Sequence, residues 1–179
     1  PGTWLLAPDF PFDMGLQLDI ADGPACLLPS GNVLCAASPG VFNAPTRFFE
    51  FDGTSLIDVP ETPNADFDPS FVGNMLILPT GQVLFTDFSA DVELYTPAGA
   101  PDDAWRPTIT SHPAILAPGE DYVIAGTQFN GLSQATGYGD DSTHATNYPL
   151  VRMTHTISGR VLYARTFRHS TMAVATGAT

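Results

Sequence analysis

The sequence predicts an all-β chain in which a short antiparallel unit occurs twice and is followed by a second, different β domain. Three observations carry this reading. Gly 16 and Pro 17 together approach a fifth of the 179 residues, too much punctuation for long helices, and no low-complexity run points to disorder. Two apolar hairpins recur in register, Pro29 and Gly31 in the first matching Pro79 and Gly81 in the second, a period of 50 residues. Beyond residue 103, short apolar runs alternate with turn residues and show no helical period.

Taken in order, Trp4-Leu5-Leu6-Ala7-Pro8 reads as the end of a strand, which Pro8, Pro11 and Gly15 break into a loop. Ala25-Cys26-Leu27-Leu28 and Val33-Leu34-Cys35-Ala36 flank Pro29-Ser30-Gly31-Asn32, the pattern of a hairpin. A four-residue loop there sets Cys26 opposite Cys35, so the pair could form a cross-strand disulfide or lie as two buried thiols. Arg47 to Gly53 reads as a third strand and Ser55 to Val59 as a fourth, before a Pro- and Asp-rich connection from Pro60 to Pro69.

The pattern then restarts with Met75-Leu76-Ile77-Leu78, the turn Pro79-Thr80-Gly81-Gln82, and Val83-Leu84-Phe85. Each copy carries an aromatic strand downstream, Phe49-Glu50-Phe51 and Glu93-Leu94-Tyr95. Four short strands per unit at this period are the signature of kelch-type propeller blades, expected over 22–70 and 71–103 within a domain of residues 1–103. One small sheet cannot cover both its faces and needs neighbours. Two blades cannot close a ring, so other polypeptide is expected against the open faces. The opening Pro1-Gly2-Thr3-Trp4, with no initiator Met or signal peptide, suggests a processed or fragmentary piece.

Residues 104–179 read as an immunoglobulin-like sandwich with fewer strands than the roughly seven such a domain holds, which suggests that it is incomplete at its end. Its expected strands start at Pro107-Thr108-Ile109-Thr110, Tyr122 to Gly126, Leu150 to Thr154 and Val161 to Arg165, with turns at Ala117-Pro118-Gly119-Glu120 and Ser158-Gly159. Charge marks the same boundary. The formal net charge is -13 and lysine is absent. Residues 1–103 hold 15 Asp/Glu and only Arg47, while 104–179 hold four acids and five Arg. An acidic, lysine-free chain is a poor partner for nucleic acid or an anionic membrane, whose affinity comes from cations on phosphate. No run of 18 or more apolar residues is present to insert in a bilayer.

Three motifs in sequence order carry a family resemblance: Leu76-Ile77-Leu78-Pro79-Thr80-Gly81-Gln82-Val83, Leu94-Tyr95-Thr96-Pro97 and Arg106-Pro107-Thr108-Ile109. In this order the chain resembles the galactose oxidase-like proteins, in which a kelch propeller precedes an immunoglobulin-like early-set domain. The resemblance covers the whole chain as two blades plus most of the sandwich. Enzymes of that family use a copper ion and a tyrosyl radical to oxidise alcohols or aldehydes. The resemblance implies two copper ligands, Tyr-His, just ahead of the hairpin run, and here those positions are Phe71 and Val72. Neither offers the lone-pair donor that copper needs. A further copper histidine, from a Thr-His-(Ser/Thr) setting, has two counterparts, His155 within Thr154-His155-Thr156 and His169 before Ser170, neither followed by the usual Gln-Arg. A scaffold without the family's copper chemistry is the expectation, although ligands on further blades would restore a copper radical oxidase.

Other chemistry is thinly signalled. Asp140-Asp141, with Ser142 and Thr143, makes an oxygen-rich loop that could hold calcium but lacks the alternating spacing and terminal Glu of a dedicated calcium loop. Asp66 with Asp68 is a weaker cation candidate, and Trp105 and Tyr138 are candidate sugar-stacking aromatics. No nucleophile elbow, phosphate loop or zinc cluster is present. The expectation is therefore a non-catalytic binding or assembly module, extracellular or at the cell surface. Its expected partners are further chains or blades, including copies of itself, and a calcium-assisted carbohydrate-binding module is the remaining alternative.

Overall fold

In the computed structural model, residues 2–137, 142–144 and 148–174 are described. All regular structure among them is β, apart from single 3-10 turns at Ser70–Val72 and Asp103–Trp105. The sheets are small and antiparallel, and none closes on itself. No helix among the described residues is long and apolar enough to cross a membrane.

The chain divides into two compact units, residues 1–101 with 133–146, and residues 102–132 with 147–179. In the first, a small ribbon of β1 (Phe12–Asp13) and β2 (Leu16–Gln17) precedes the first repeat. That repeat is a four-stranded meander of β3 (Ala25–Leu27), β4 (Val33–Ala37), β5 (Arg47–Phe51) and β6 (Leu56–Asp58). The second is a three-stranded meander of β7 (Asn74–Ile77), β8 (Val83–Thr86) and β9 (Glu93–Tyr95).

The two hairpins are built alike. Gly31 N donates to Leu28 O at 2.9 Å and Leu28 N to Asn32 O at 2.8 Å, and in the second copy Gly81 N donates to Leu78 O and Leu78 N to Gln82 O, both at 2.8 Å. Gly31 and Gly81 have φ of +94° and +82°. This is a three-residue loop whose glycine takes the left-handed position, conformationally free for glycine and costly for other residues. The loop is thus one residue shorter than the four expected, and the register moves with it. Leu27 pairs with Val33, Cys26 with Leu34, and Ala25 with Cys35. A one-residue slip in a strand turns a side chain to the other face. Cys26 therefore joins the core between the repeats while Cys35 joins the core on the opposite face. Of the two alternatives for this pair, the register favours the buried thiols, and both cysteines are free and buried.

Side-chain alternation decides how the meanders meet. Cys26, Leu34, Ala36 and Phe48 of the first repeat pack with Met75, Ile77, Val83 and Phe85 of the second in one core. The Phe48 and Phe85 rings meet edge to face at 5.1 Å. Gly73 permits this packing, because a Cβ there would lie 2.6 Å from the Phe85 ring. The far face of the first repeat, with Cys35, Ala37 and Phe49, is covered by Leu18 and Phe10 from the preceding segment.

A further strand completes this unit. β12 (Gln134–Gly137) pairs with β3 through Gln134, Ala135 and Thr136, with β7 at Asn74, and with β13 (Ser142–His144). Ala135 is fully buried in the core between the repeats. The boundary expected at 103/104 makes the second domain continuous. The break after Pro101 is close to it, but 133–146 returns to the first unit. Physically, β12 supplies hydrogen bonds to the inner edge of β3, which would otherwise lie unpaired in an apolar setting.

The second unit holds two separate ladders. β10 (Thr108–Ser111) pairs with β11 (Ala125–Thr127), and β14 (Val151–Thr154) pairs with β15 (Val161–Ala164). The ladders share no strand. Asn130, buried, ties the end of the described chain down by donating to Thr171 O at 2.7 Å and Ala173 O at 3.1 Å.

Candidate functional site

The sequence-predicted residues fall in several places. Phe71 and Val72 lie in the Ser70–Val72 turn, Val72 buried and the Phe71 ring edge to face with Phe42 at 5.3 Å. Their hydrocarbon side chains serve packing. His155 opens the turn into β15, where its Nδ1 accepts from Ser158 N at 3.1 Å and lies 2.9 Å from Ser158 Oγ. His169 has Nε2 3.0 Å from Thr166 Oγ1 and its ring edge to face with Tyr148 at 5.1 Å. Each histidine is held by its own local partner. Asp140, Asp141 and Tyr138 lie outside the described residues.

The expected pairing of Asp66 with Asp68 divides. Asp66 binds Arg47 Nη1 at 3.0 Å, and the same guanidinium holds Asp13 at 2.7 Å and Glu61 at 3.1 Å. Three acids, one from β1 and two from the Pro60–Pro69 connection, thus share the single cation of residues 1–103. Asp68 instead lies near Asp87: burial, then the Asp87 charge, pushes its carboxyl up.

The loop joining β8 to β9 gathers the chemistry that sequence reading missed. Asp87, Asp91 and Glu93 each bring a carboxylate oxygen within 4.8 Å of the others. Asp87 is buried. Its Oδ1 accepts from Ser89 N at 3.1 Å and its Oδ2 from Asn64 Nδ2 at 3.3 Å. Burial works to raise its pKa, but the hydrogen bonds from Ser89 and Asn64 outweigh this and hold it below the ordinary range. The Ser89 hydroxyl donates to Asp91. Glu93 is different: both its carboxylate oxygens are shut off from water and neither accepts a hydrogen bond. Burial, then the charges of Asp87 and Asp91, pushes its carboxyl up. A signal for this site existed, since Asp87, Ser89, Asp91 and Glu93 alternate at every second position, the spacing with which calcium loops begin.

Glu93 also lines a cavity of about 270 Å³ between the repeats, walled by Phe48, Val59, Met75, Phe85 and Tyr95. Beside it the Tyr95 hydroxyl donates to Glu50, which is buried and also accepts from Asn32 Nδ2 at 2.9 Å. Burial, and then the Glu50 carboxylate, raises the Tyr95 pKa well above its usual value. Glu50 is thereby fixed by two donors.

The most informative surface is the outer face of the second repeat. Leu76, Leu84 and Leu94 pair across β7, β8 and β9 in one row. The matching row of the first repeat is Cys26, Leu34 and Glu50. Cys26 and Leu34 are 0% and 2% exposed, against 39% for Leu76 and 56% for Leu94. No family model, curated protein or solved structure matches this chain.

Proposed function

We propose that this chain is a non-catalytic assembly module on a galactose oxidase-like scaffold, working outside the cell or at its surface. The carrying observation is the row Leu76–Leu84–Leu94, whose Leu76 and Leu94 are exposed where Cys26 and Leu34 of the equivalent row are buried against the second meander. Covering such a row removes apolar surface from water, worth about 25 cal/mol per Å². Two identical hairpins at the 50-residue period support a blade-like repeat, and Phe71 and Val72 at the implied copper-ligand positions support a scaffold relieved of the family's oxidation chemistry.

The occupant we assign to this face is the same face of a second copy. The other free face of the meanders, on the first repeat, is already capped by Leu18 and Phe10. A row of leucines can serve as its own complement about a two-fold axis, the commonest symmetry of soluble oligomers. The test is capture of untagged chain by tagged chain. Leu94→Glu, at an exposed position, and Leu84→Glu should each abolish capture while leaving the β circular dichroism spectrum unchanged. Equal capture by wild type and both variants would remove this face from the assembly.

A further inference from the structure

The carboxylates of the β8–β9 loop do not suit one another as they stand. Negative charges this close repel, and a buried carboxylate needs partners. Asp87 has Asn64 and the Ser89 amide, and Asp91 has the Ser89 hydroxyl. The two Glu93 oxygens have no hydrogen-bond partner and no access to water, and they lie against the other two acids. Arg47, which answers the acids Asp13, Glu61 and Asp66, is committed there. Something positive and compact, able to accept several oxygens at once, completes the arrangement.

We propose that Asp87, Asp91 and Glu93 form a binding site for a hard divalent cation, calcium, on the loop between β8 and β9. The donor set is all oxygen, which calcium takes and softer metals do not favour. Calcium binds oxygens at about 2.4 Å, so ligands on opposite sides of one ion stand about 4.8 Å apart. The three carboxylate oxygens lie within that span of one another. Each carboxylate oxygen has two lone pairs, so Asp87 can keep its hydrogen bonds to Ser89 and Asn64 and still face the ion. Calcium accepts six to eight oxygens in flexible geometry, and water completes the shell on the exposed Asp91 side.

Such an ion would act on the fold as well as on charge. Glu93 begins β9, whose Leu94 belongs to the bare leucine row. Neutralising the repulsion around Glu93 stabilises the β8–β9 edge against opening, because a ligand that binds only the folded state stabilises it by mass action.

The test uses the full chain stripped of metal, with calcium alone as the probe, in isothermal titration calorimetry and thermal unfolding at neutral pH. One equivalent of calcium should bind and raise the unfolding midpoint. Glu93→Gln should lose calcium binding at least tenfold and lose the calcium-dependent rise, whatever it does to stability without the ion. Asp91→Asn, at an exposed position where misfolding is not a concern, should weaken binding as well. Asp9→Asn, on an exposed acid elsewhere, should leave it unchanged. The proposal is overturned by the absence of stoichiometric binding, by binding that survives Glu93→Gln but is lost in Asp140→Asn or Asp141→Asn, or by magnesium binding as tightly as calcium at this site.

Discussion

Phe48 and Phe85, one from each repeat, meet edge to face with ring centroids 5.1 Å apart and planes at 86°. The contact joins β5 of the first meander to β8 of the second, and both side chains are buried. Phe85→Ala should therefore cost about 3–5 kcal/mol of unfolding free energy, the range for removing a buried ring, and lower the urea midpoint accordingly. Phe88→Ala, three residues on and 80% exposed, should stay within about 0.5 kcal/mol of wild type. Similar urea midpoints for the two variants would show that the repeats do not share this core.

Gly73 makes the neighbouring prediction. A Cβ at this position would stand 2.6 Å and 2.8 Å from the Phe85 ring, so Gly73→Ala must push the ring out of the shared core. A loss of about 1–3 kcal/mol is expected. In the Phe85→Leu background, where no ring stands in the way, the same substitution should cost clearly less, and equal losses in both backgrounds would place the clash elsewhere.

Arg47 ties Asp13, Glu61 and Asp66 to β5. Replacing it with Met keeps most of the stem and leaves three acids facing one another without a cation. Arg47→Met should destabilise by about 1–3 kcal/mol, as hydrogen bonds to charged groups do when one partner is removed. A double-mutant cycle with Asp13→Asn should show coupling, because the closest of the three ion pairs joins these residues, at 2.7 Å. Strictly additive effects would show that Arg47 acts through packing alone.

The cysteines supply a redox and pH prediction. Burial pushes Cys26 up to about 12 and Cys35 up to about 11. In the native state both should resist alkylation, since the thiolate is the reacting form. In denaturant without reductant, two thiols should titrate with a thiol reagent, and finding none would restore the disulfide. The sign of the pH effect follows from linkage. Both folded pKa values lie above the unfolded value of 9.0. The stability they contribute is full below pH 9.0 and is lost as pH rises through about 11 and about 12. The double variant Cys26→Ala/Cys35→Ala should flatten that alkaline fall, leaving the share that comes from Tyr95, whose raised pKa acts in the same direction.

How much of this was legible in the sequence differs by the range of the interaction. Pro29-Ser30-Gly31 and Pro79-Thr80-Gly81 mark their hairpins because turn chemistry is local, and the strands around them follow. Their register was not legible, because a loop of three residues with a left-handed glycine and a loop of four read alike in sequence. That single residue separates Cys26 from Cys35 across the sheet. The place of β12 beside β3 was equally hidden: Gln134-Ala135-Thr136 has no apolar alternation of its own, and its partners lie over a hundred residues earlier. The Arg47 clamp and the Asp87–Asp91–Glu93 cluster are tertiary in the same sense. The alternation of acids in the loop was visible, but the burial of the Glu93 oxygens, which gives it weight, is a property of the fold.

The central claim is that the leucine face of the second repeat is made to be covered by a second copy. Sedimentation velocity over a wide concentration range measures this most directly. A reversible shift from the 19.0 kDa monomer to twice that mass is expected, strengthened by added salt as apolar association is and lost in Leu94→Glu. A compact monomer at every concentration, unchanged by that substitution, would contradict it.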